Sequence, residues 1–288
     1  MVTILPRVGG KEFLSLVHGV SMSGRGKKLS VSRLSRFFKA DSARYRLPPS
    51  CGLPQRVLLA AQPKSGTYLY AEILKELGFD FTYIHLAPKK IQAYDKNMPQ
   101  VTAENPRLFD CRIPLAESRR LIRTGQVGAS HLTPEEAGDY FEDFKVVAVN
   151  RELRSSFMSF VNFFEETGRG SKKVRARVHS EGVCGFMRER GRRYIDHALG
   201  IQSWSERPNA LVVRYEDLHR DPEVQISDIS EYIGGLRVED SMVYQRALAS
   251  QTMTKSKGKS KIVWGEEEEE VFVSLGGIEA NKKMGYSD

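Results

Sequence analysis

The sequence predicts an α/β fold of three layers, in which a central parallel β-sheet is flanked by helices. Strand-like runs at 57–61, 81–85, 127–131, 146–150 and 210–214 alternate with stretches of helical spacing near 68–77, 115–124, 135–143, 155–166 and 224–233. Two of those strands also pass straight into a helix through a short polar connection. In open α/β sheets, ligands gather at such carboxyl ends of the strands.

The first connection is the most informative stretch of the chain. The apolar run Val57-Leu58-Leu59-Ala60-Ala61 leads into Pro63-Lys64-Ser65-Gly66-Thr67, and apolar residues then recur at helical spacing from Tyr68 to Leu77. Backbone N–H groups at a helix start have no intrahelical acceptor and converge on an anion, and Lys64 adds a full positive charge at the same place. The loop is P-loop-like but not the Walker sequence, because Lys64 precedes the glycine and the loop is shorter. ATP is therefore not the default ligand; a phosphate or sulfate is. Alone, five residues of this kind also fit a plain turn with a solvated lysine.

The second connection follows Val146-Val147-Ala148-Val149-Asn150. Arg151 stands at the end of that strand, and Ser159 lies about two turns into the next helix. A guanidinium there offers a planar fork for a second phosphate, and the hydroxyl can donate to the same group. A third strand, at 210–214, delivers Arg214-Tyr215-Glu216-Asp217-Leu218, followed by Asp221-Pro222.

Taken in order and spacing, these three motifs resemble the sulfotransferases that use 3′-phosphoadenosine 5′-phosphosulfate (PAPS). The resemblance runs from about Arg56 to the closing Met284-Gly285-Tyr286. It implies a P-loop-like three-layer fold and PAPS as co-substrate, with no metal. By the same resemblance Lys64, Ser65, Gly66 and Thr67 bind the 5′-phosphosulfate. Tyr68 continues this cofactor-binding stretch where many relatives have a second threonine. Arg151 and Ser159 hold the 3′-phosphate, Tyr215 and Ser250 the adenine, and Lys257-Gly258 close over the 3′-phosphate.

His131, in Ser130-His131-Leu132-Thr133-Pro134, falls where relatives carry a His-Leu-Pro element. It is the candidate general base, a neutral imidazole able to take the proton of an acceptor hydroxyl or amine as that group attacks sulfur. Lys64 is its catalytic companion, offsetting negative charge on the departing phosphate. His197, on an expected helix, reads as structural. The acceptor, whether a small molecule, a glycan or a lipid, has no local code in the sequence.

At 288 residues with 40% hydrophobic and 28% charged side chains, the chain can bury one large core. It has no apolar run of the ~20 residues needed to span a bilayer. Cys51, Cys111 and Cys184 are scattered without metal-ligand spacing, which suits a reducing, cytoplasmic setting and no structural zinc.

Charge divides the chain at about residue 50. Residues 1–50 carry ten of the 44 Lys/Arg but only Glu12 and Asp41 of the 36 acidic residues, so the net +8 resides there and 51–288 balance. This basic extension precedes the sulfotransferase-like part at 51–288. It reads as a helix packed through Leu34, Phe37 and Phe38, as an arm for an anionic surface, or as an organelle-targeting peptide. A second basic stretch, 167–193, is rich in glycine and reads as an irregular excursion, either a solvated loop or an anion-attracting lid. The run Glu266 to Glu270 reads as an exposed helix start.

Two other functions compete with sulfuryl transfer. A nucleotide kinase-like P-loop enzyme needs a Walker lysine-serine pair that is missing. A non-catalytic anion- or membrane-binding protein needs none of His131, Arg151 and Tyr215. Nucleic acid is not an expected partner, and oligomeric state is not legible.

Overall fold

The structure is a computed structural model that describes residues 52–94, 107–167, 171–234, 242–250 and 263–287. The basic extension at 1–50, Lys257, Gly258 and the start of the 167–193 stretch lie outside the described residues.

Among the described residues seven strands form one sheet, in the order β4-β3-β2-β5-β1-β6-β7. In chain order these are β1 (Val57–Ala61), β2 (Asp80–Ala87), β3 (Lys90–Tyr94), β4 (Arg107–Cys111), β5 (Gln126–Ser130), β6 (Lys145–Asn150) and β7 (Ala210–Arg214). β2, β5, β1, β6 and β7 are mutually parallel, as the alternating pattern predicts. β3 and β4 instead extend the β2 edge in antiparallel fashion, so the sheet is mostly rather than wholly parallel. Their sequences, KIQAY and RLFDC, mix polar and apolar residues and lack the continuous apolar signature of a doubly covered strand.

β1 is that signature in full: all five of its residues are completely buried between β5 and β6. On one face Val57, Leu59 and Ala61 join Val127, Val147 and Val149 in a core shared with helices α1 (Thr67–Glu76), α8 (Pro222–Ile233) and α9 (Val243–Ala249). Helix α6 (Arg192–Gln202) packs against β6. A second apolar cluster joins α6 to α4 (Leu153–Thr167), α5 (Lys172–Phe186), α10 (Glu266–Ser274) and α11 (Gly277–Lys283). Phe157 is its hub, with rings of Phe186, Tyr194 and Phe272 at 5.9, 5.1 and 6.3 Å.

Three expected elements differ. The stretch 115–124 is a single turn, α2 (Leu115–Ser118), followed by a 3₁₀ turn at Arg119–Leu121. The stretch 135–143 is likewise reduced to α3 (Pro134–Ala137), which a Thr133–Glu136 capping box opens and Gly138, at φ 53°, closes. The basic stretch 167–193 is not an irregular loop. From Ser171, which caps α5 by accepting from the Val174 N–H, it is helical on both sides of a kink at Gly182 (φ 58°), because Val174, Val178 and Phe186 are buried in the second apolar cluster.

Several of its cations have acidic partners. Lys173 pairs with Glu189, Arg177 with Glu181, and Arg188 with both Glu181 and Glu267. The acidic run at 266–270 starts α10 as expected; its Glu267 meets Arg188 of the basic stretch, and its Glu269 binds Arg154 of α4 through two bonds of 2.7 and 2.9 Å. Among the described residues no helix is long and apolar enough to cross a membrane.

Phe157→Ala should destabilise the protein by about 3–5 kcal/mol, because it empties the junction of four helices. Tyr140→Ala, at a position 45% exposed, should stay within about 0.5 kcal/mol. Urea denaturation of the two variants checks the contrast.

Candidate active site

Parallel pairing brings the ends of β1 and β6 side by side, with Ala61 opposite Val149. The residues that follow each strand therefore meet. The Gln62 N–H donates to the Val149 carbonyl (2.9 Å), and Arg151 Nη1 donates to the Lys64 carbonyl (3.1 Å). The two segments expected from the sequence to bind anions, far apart in the chain, become neighbours.

The loop is built under strain. Lys64 adopts φ 69°, a left-handed conformation that costs a non-glycine residue about 1–2 kcal/mol. Gly66, at φ 89°, is needed for a second reason: a Cβ there would come within 2.6 Å of the Tyr215 ring. α1 then begins at Thr67 with no side chain capping it, so its first N–H groups point out of the helix toward the loop. The Ser65 side chain is turned inward, its hydroxyl donating to the carbonyls of Gln62 (2.7 Å) and Val149 (3.2 Å). Ser65 thus shapes the loop. The Lys64 ammonium lies 4.3 Å above the Phe163 ring.

Arg151 stacks on Tyr215 at 4.4 Å, and its Nε is buried without a hydrogen-bond partner. A buried N–H of a cation is costly to leave unpaired, and an anionic oxygen is the group that would satisfy it. Tyr215, first residue of α7 (Tyr215–Arg220), is a shelf beneath Arg151 and against Gly66, with His219 edge-on at 4.4 Å. Ser159 is half-buried on α4, and Ser250 ends α9, whose Tyr244 bonds His219. Neither serine is drawn into the Lys64–Arg151 contact.

His131 closes the other side of the loop. Its Nδ1 lies 2.6 Å from the Ala61 carbonyl; a carbonyl only accepts, so Nδ1 carries the proton and Nε2 the lone pair. The backbone around it is pinned from α6 and the turn beyond: His197 Nε2 donates to the His131 carbonyl (2.7 Å), and Trp204 Nε1 to the Leu132 carbonyl (2.9 Å). Burial, and then the charges of His197 and Lys64, outweigh the Ala61 carbonyl and push the imidazole down to about 4. His131 is neutral at pH 7, with Nε2 ready to accept a proton. His85, on β2, stands beside it with ring centroids 5.0 Å apart, and Tyr68 contacts His85 at 5.9 Å.

Sequence reasoning missed the residues that hold these parts in place. Gln62 and Tyr194 lie in the buried seam beside the ends of β1 and β6. Glu152 begins α4 by accepting from the N–H groups of Arg154 (2.9 Å) and Ser155 (2.7 Å), while Asn281 takes the Leu153 N–H (3.1 Å) and donates to Glu152 (2.8 Å). Tyr286 donates to Glu216 (3.0 Å), and Glu216 in turn accepts from the Glu152 N–H (3.2 Å). The C-terminal residues thus brace both segments that carry Arg151 and Tyr215. The one signal in the sequence was Gln62 itself, an amide set directly after a wholly apolar strand.

A family model described as a sulfotransferase domain matches residues 54–283. Sulfotransferase 4A1 of Mus musculus and that of Homo sapiens are each 26% identical over 227 residues, covering 69% of this chain and 70% of the relative. Among solved structures, mouse sulfotransferase SULT7A1 complexed with PAP superposes with a TM-score of 0.51 at 16% identity, covering 83% of this chain and 88% of that one. That likeness supports the fold.

The lowered His131 gives stability a pH dependence of known sign. Below the ordinary value of 6.5 the unfolded chain binds a proton that the folded chain refuses until about pH 4, so stability present above 6.5 is lost as pH falls through that window. The loss should reach about 3 kcal/mol. His131→Asn, whose amide can still donate to Ala61, should flatten the denaturation midpoint between pH 6.5 and 4. Equal slopes in the two proteins would count against the buried neutral imidazole.

Proposed function

Because the chain belongs to the sulfotransferase domain family, we propose that it moves a sulfuryl group from PAPS to a hydroxyl or amine of an acceptor molecule. The observation that carries the reading is the pair of cationic sites joined by the Arg151–Lys64 contact, with Arg151 Nε buried and unpartnered beside it. PAPS carries a phosphosulfate at one end of its ribose and a phosphate at the other, and the residues present fit both. Lys64 and the start of α1 suit the first group, and Arg151, with Ser159, the second. Tyr215 and Ser250 stand on the side assigned to adenine, and Lys257-Gly258 would close over the 3′-phosphate.

The chemistry follows from charge and tautomer. His131 Nε2 takes the acceptor's proton as the acceptor atom bonds to sulfur and the sulfur–oxygen bond to the phosphate breaks. Lys64 and the loop N–H groups offset the negative charge growing on that phosphate. Phe163 holds the Lys64 ammonium near the loop beforehand. The base itself is held in place by the bonds from His197 and Trp204 to the carbonyls of His131 and Leu132, and orientation of this kind contributes to rate.

In this reading residues 51–288 form the catalytic domain, of which 54–283 match the family model. Residues 1–50 are a separate basic segment suited to an anionic surface. The acceptor is a small molecule, a glycan or a lipid, and the scattered cysteines suit the cytoplasm.

Calorimetry should show 3′-phosphoadenosine 5′-phosphate (PAP) binding far more tightly than adenosine 5′-phosphate, since only PAP engages both cationic sites. Arg151→Ala should erase most of that preference, a loss of about 1.5–3 kcal/mol. Equal affinities in the unmutated protein would overturn the assignment. His131→Ala should leave PAP affinity nearly unchanged and lower turnover by about 10²–10⁴-fold. Near-normal turnover would move the base elsewhere.

A further inference from the structure

We infer that Gln62 is a positioning residue that sets the separation of the two anion sites and so gives the enzyme its selectivity for a nucleotide phosphorylated at both ends. The inference rests on the sulfotransferase reading above.

Gln62 is completely buried, yet every polar group it carries has a partner. Its side-chain oxygen accepts from the Arg151 N–H (3.1 Å), and its Nε2 donates to Ser156 Oγ (3.0 Å) and Tyr194 Oη (2.8 Å). Its carbonyl accepts from the Ser65 N–H (3.1 Å) and hydroxyl (2.7 Å). Tyr194 passes its own proton to the Pro63 carbonyl (2.7 Å).

The direction of each bond is fixed. The Arg151 N–H can only donate, so the amide oxygen must face it and the NH₂ must face the two hydroxyls. Tyr194 has one proton, spent on Pro63, so its oxygen must accept from Gln62. Burial pushes the Tyr194 phenol up to about 12, which keeps that proton in place.

The consequence is geometric. One side chain grips the backbone of Arg151, and through Tyr194 it also grips the loop residue before Lys64. No other arrangement of a buried amide satisfies all these groups, so the loop and Arg151 cannot slide past each other without leaving buried polar atoms unpaired. A ligand with one phosphate does not sense the spacing of the two sites. A ligand with both does.

The test is the ratio of affinities for PAP and adenosine 5′-phosphate, measured by calorimetry on the full chain. Gln62→Met, similar in length and without hydrogen bonds, should lower that ratio about 10-fold. Tyr194→Phe, which removes one oxygen and keeps the ring against Phe157, should lower it about 3-fold. In both, the KM for PAPS should rise with kcat held. Should Gln62→Met fail to fold, Tyr194→Phe decides the matter. A variant that melts earlier but keeps the ratio would show that Gln62 is merely structural, and that overturns the inference. An unmutated protein with no preference for PAP would sink the parent reading, and this one with it.

Discussion

The register of β1 against β6 governs everything at the working end of the sheet. With Ala61 opposite Val149, the chain leaves both strands at the same height, and the next residues have to share one small space. Parallel strands end together on one edge, so their exits are crowded while their interiors are not. Here the crowding is resolved by polar contacts. Lys64 turns left-handed and presents its carbonyl to Arg151, Ser65 folds its hydroxyl inward, and Gln62 lies completely buried among them. Displacing the strands by one residue would separate Lys64 from Arg151 and break the bonds that cross from one strand exit to the other.

The helices outside the sheet answer the same demand. α4 begins where Arg151 ends, and its first N–H groups are consumed by Glu152 and Asn281. The positive end of this helix is thus satisfied by the protein itself, whereas that of α1 is left uncapped next to Lys64. Two helix starts at one edge of the sheet therefore play different parts: one braces, the other is available to an anion. Arg188, just beyond α5, pairs with Glu181 of α5 and with Glu267 at the acidic start of α10, so part of the charge along this bracing layer is neutralised within it.

His131 is set between opposing influences. The Ala61 carbonyl favours a proton on the ring, while burial and two nearby cationic or ionisable side chains oppose it. A half-buried, uncharged imidazole with its lone pair on Nε2 is the outcome, and an anion bound at Lys64 would raise its basicity by cancelling part of that opposing charge.

Much of this was legible in the residues. The five parallel strands, α1, the long helix at 153–167 and the placing of Lys64, Arg151, His131 and Tyr215 at strand ends follow from local apolar patterns, because a strand buried on both faces writes itself as an unbroken apolar run. β3 and β4 were not legible, since short edge strands leave a mixed pattern. The basic stretch at 171–191 misled for the opposite reason: its glycines and charges suggest a loop, but buried Val174, Val178 and Phe186 and partners on α10 make it helical on both sides of a kink at Gly182. Of the bracing side chains only Gln62, an amide directly after an apolar strand, carries a local signal; Tyr194, Glu152, Asn281 and Tyr286 carry none. Their roles depend on which segments, separated by as many as 132 residues in the case of Gln62 and Tyr194, come to lie within 3 Å of each other, and only the packing of helices on the sheet decides that. Sequence determined which groups stand at the strand ends; tertiary structure decided which of them point into the site and which hold it together.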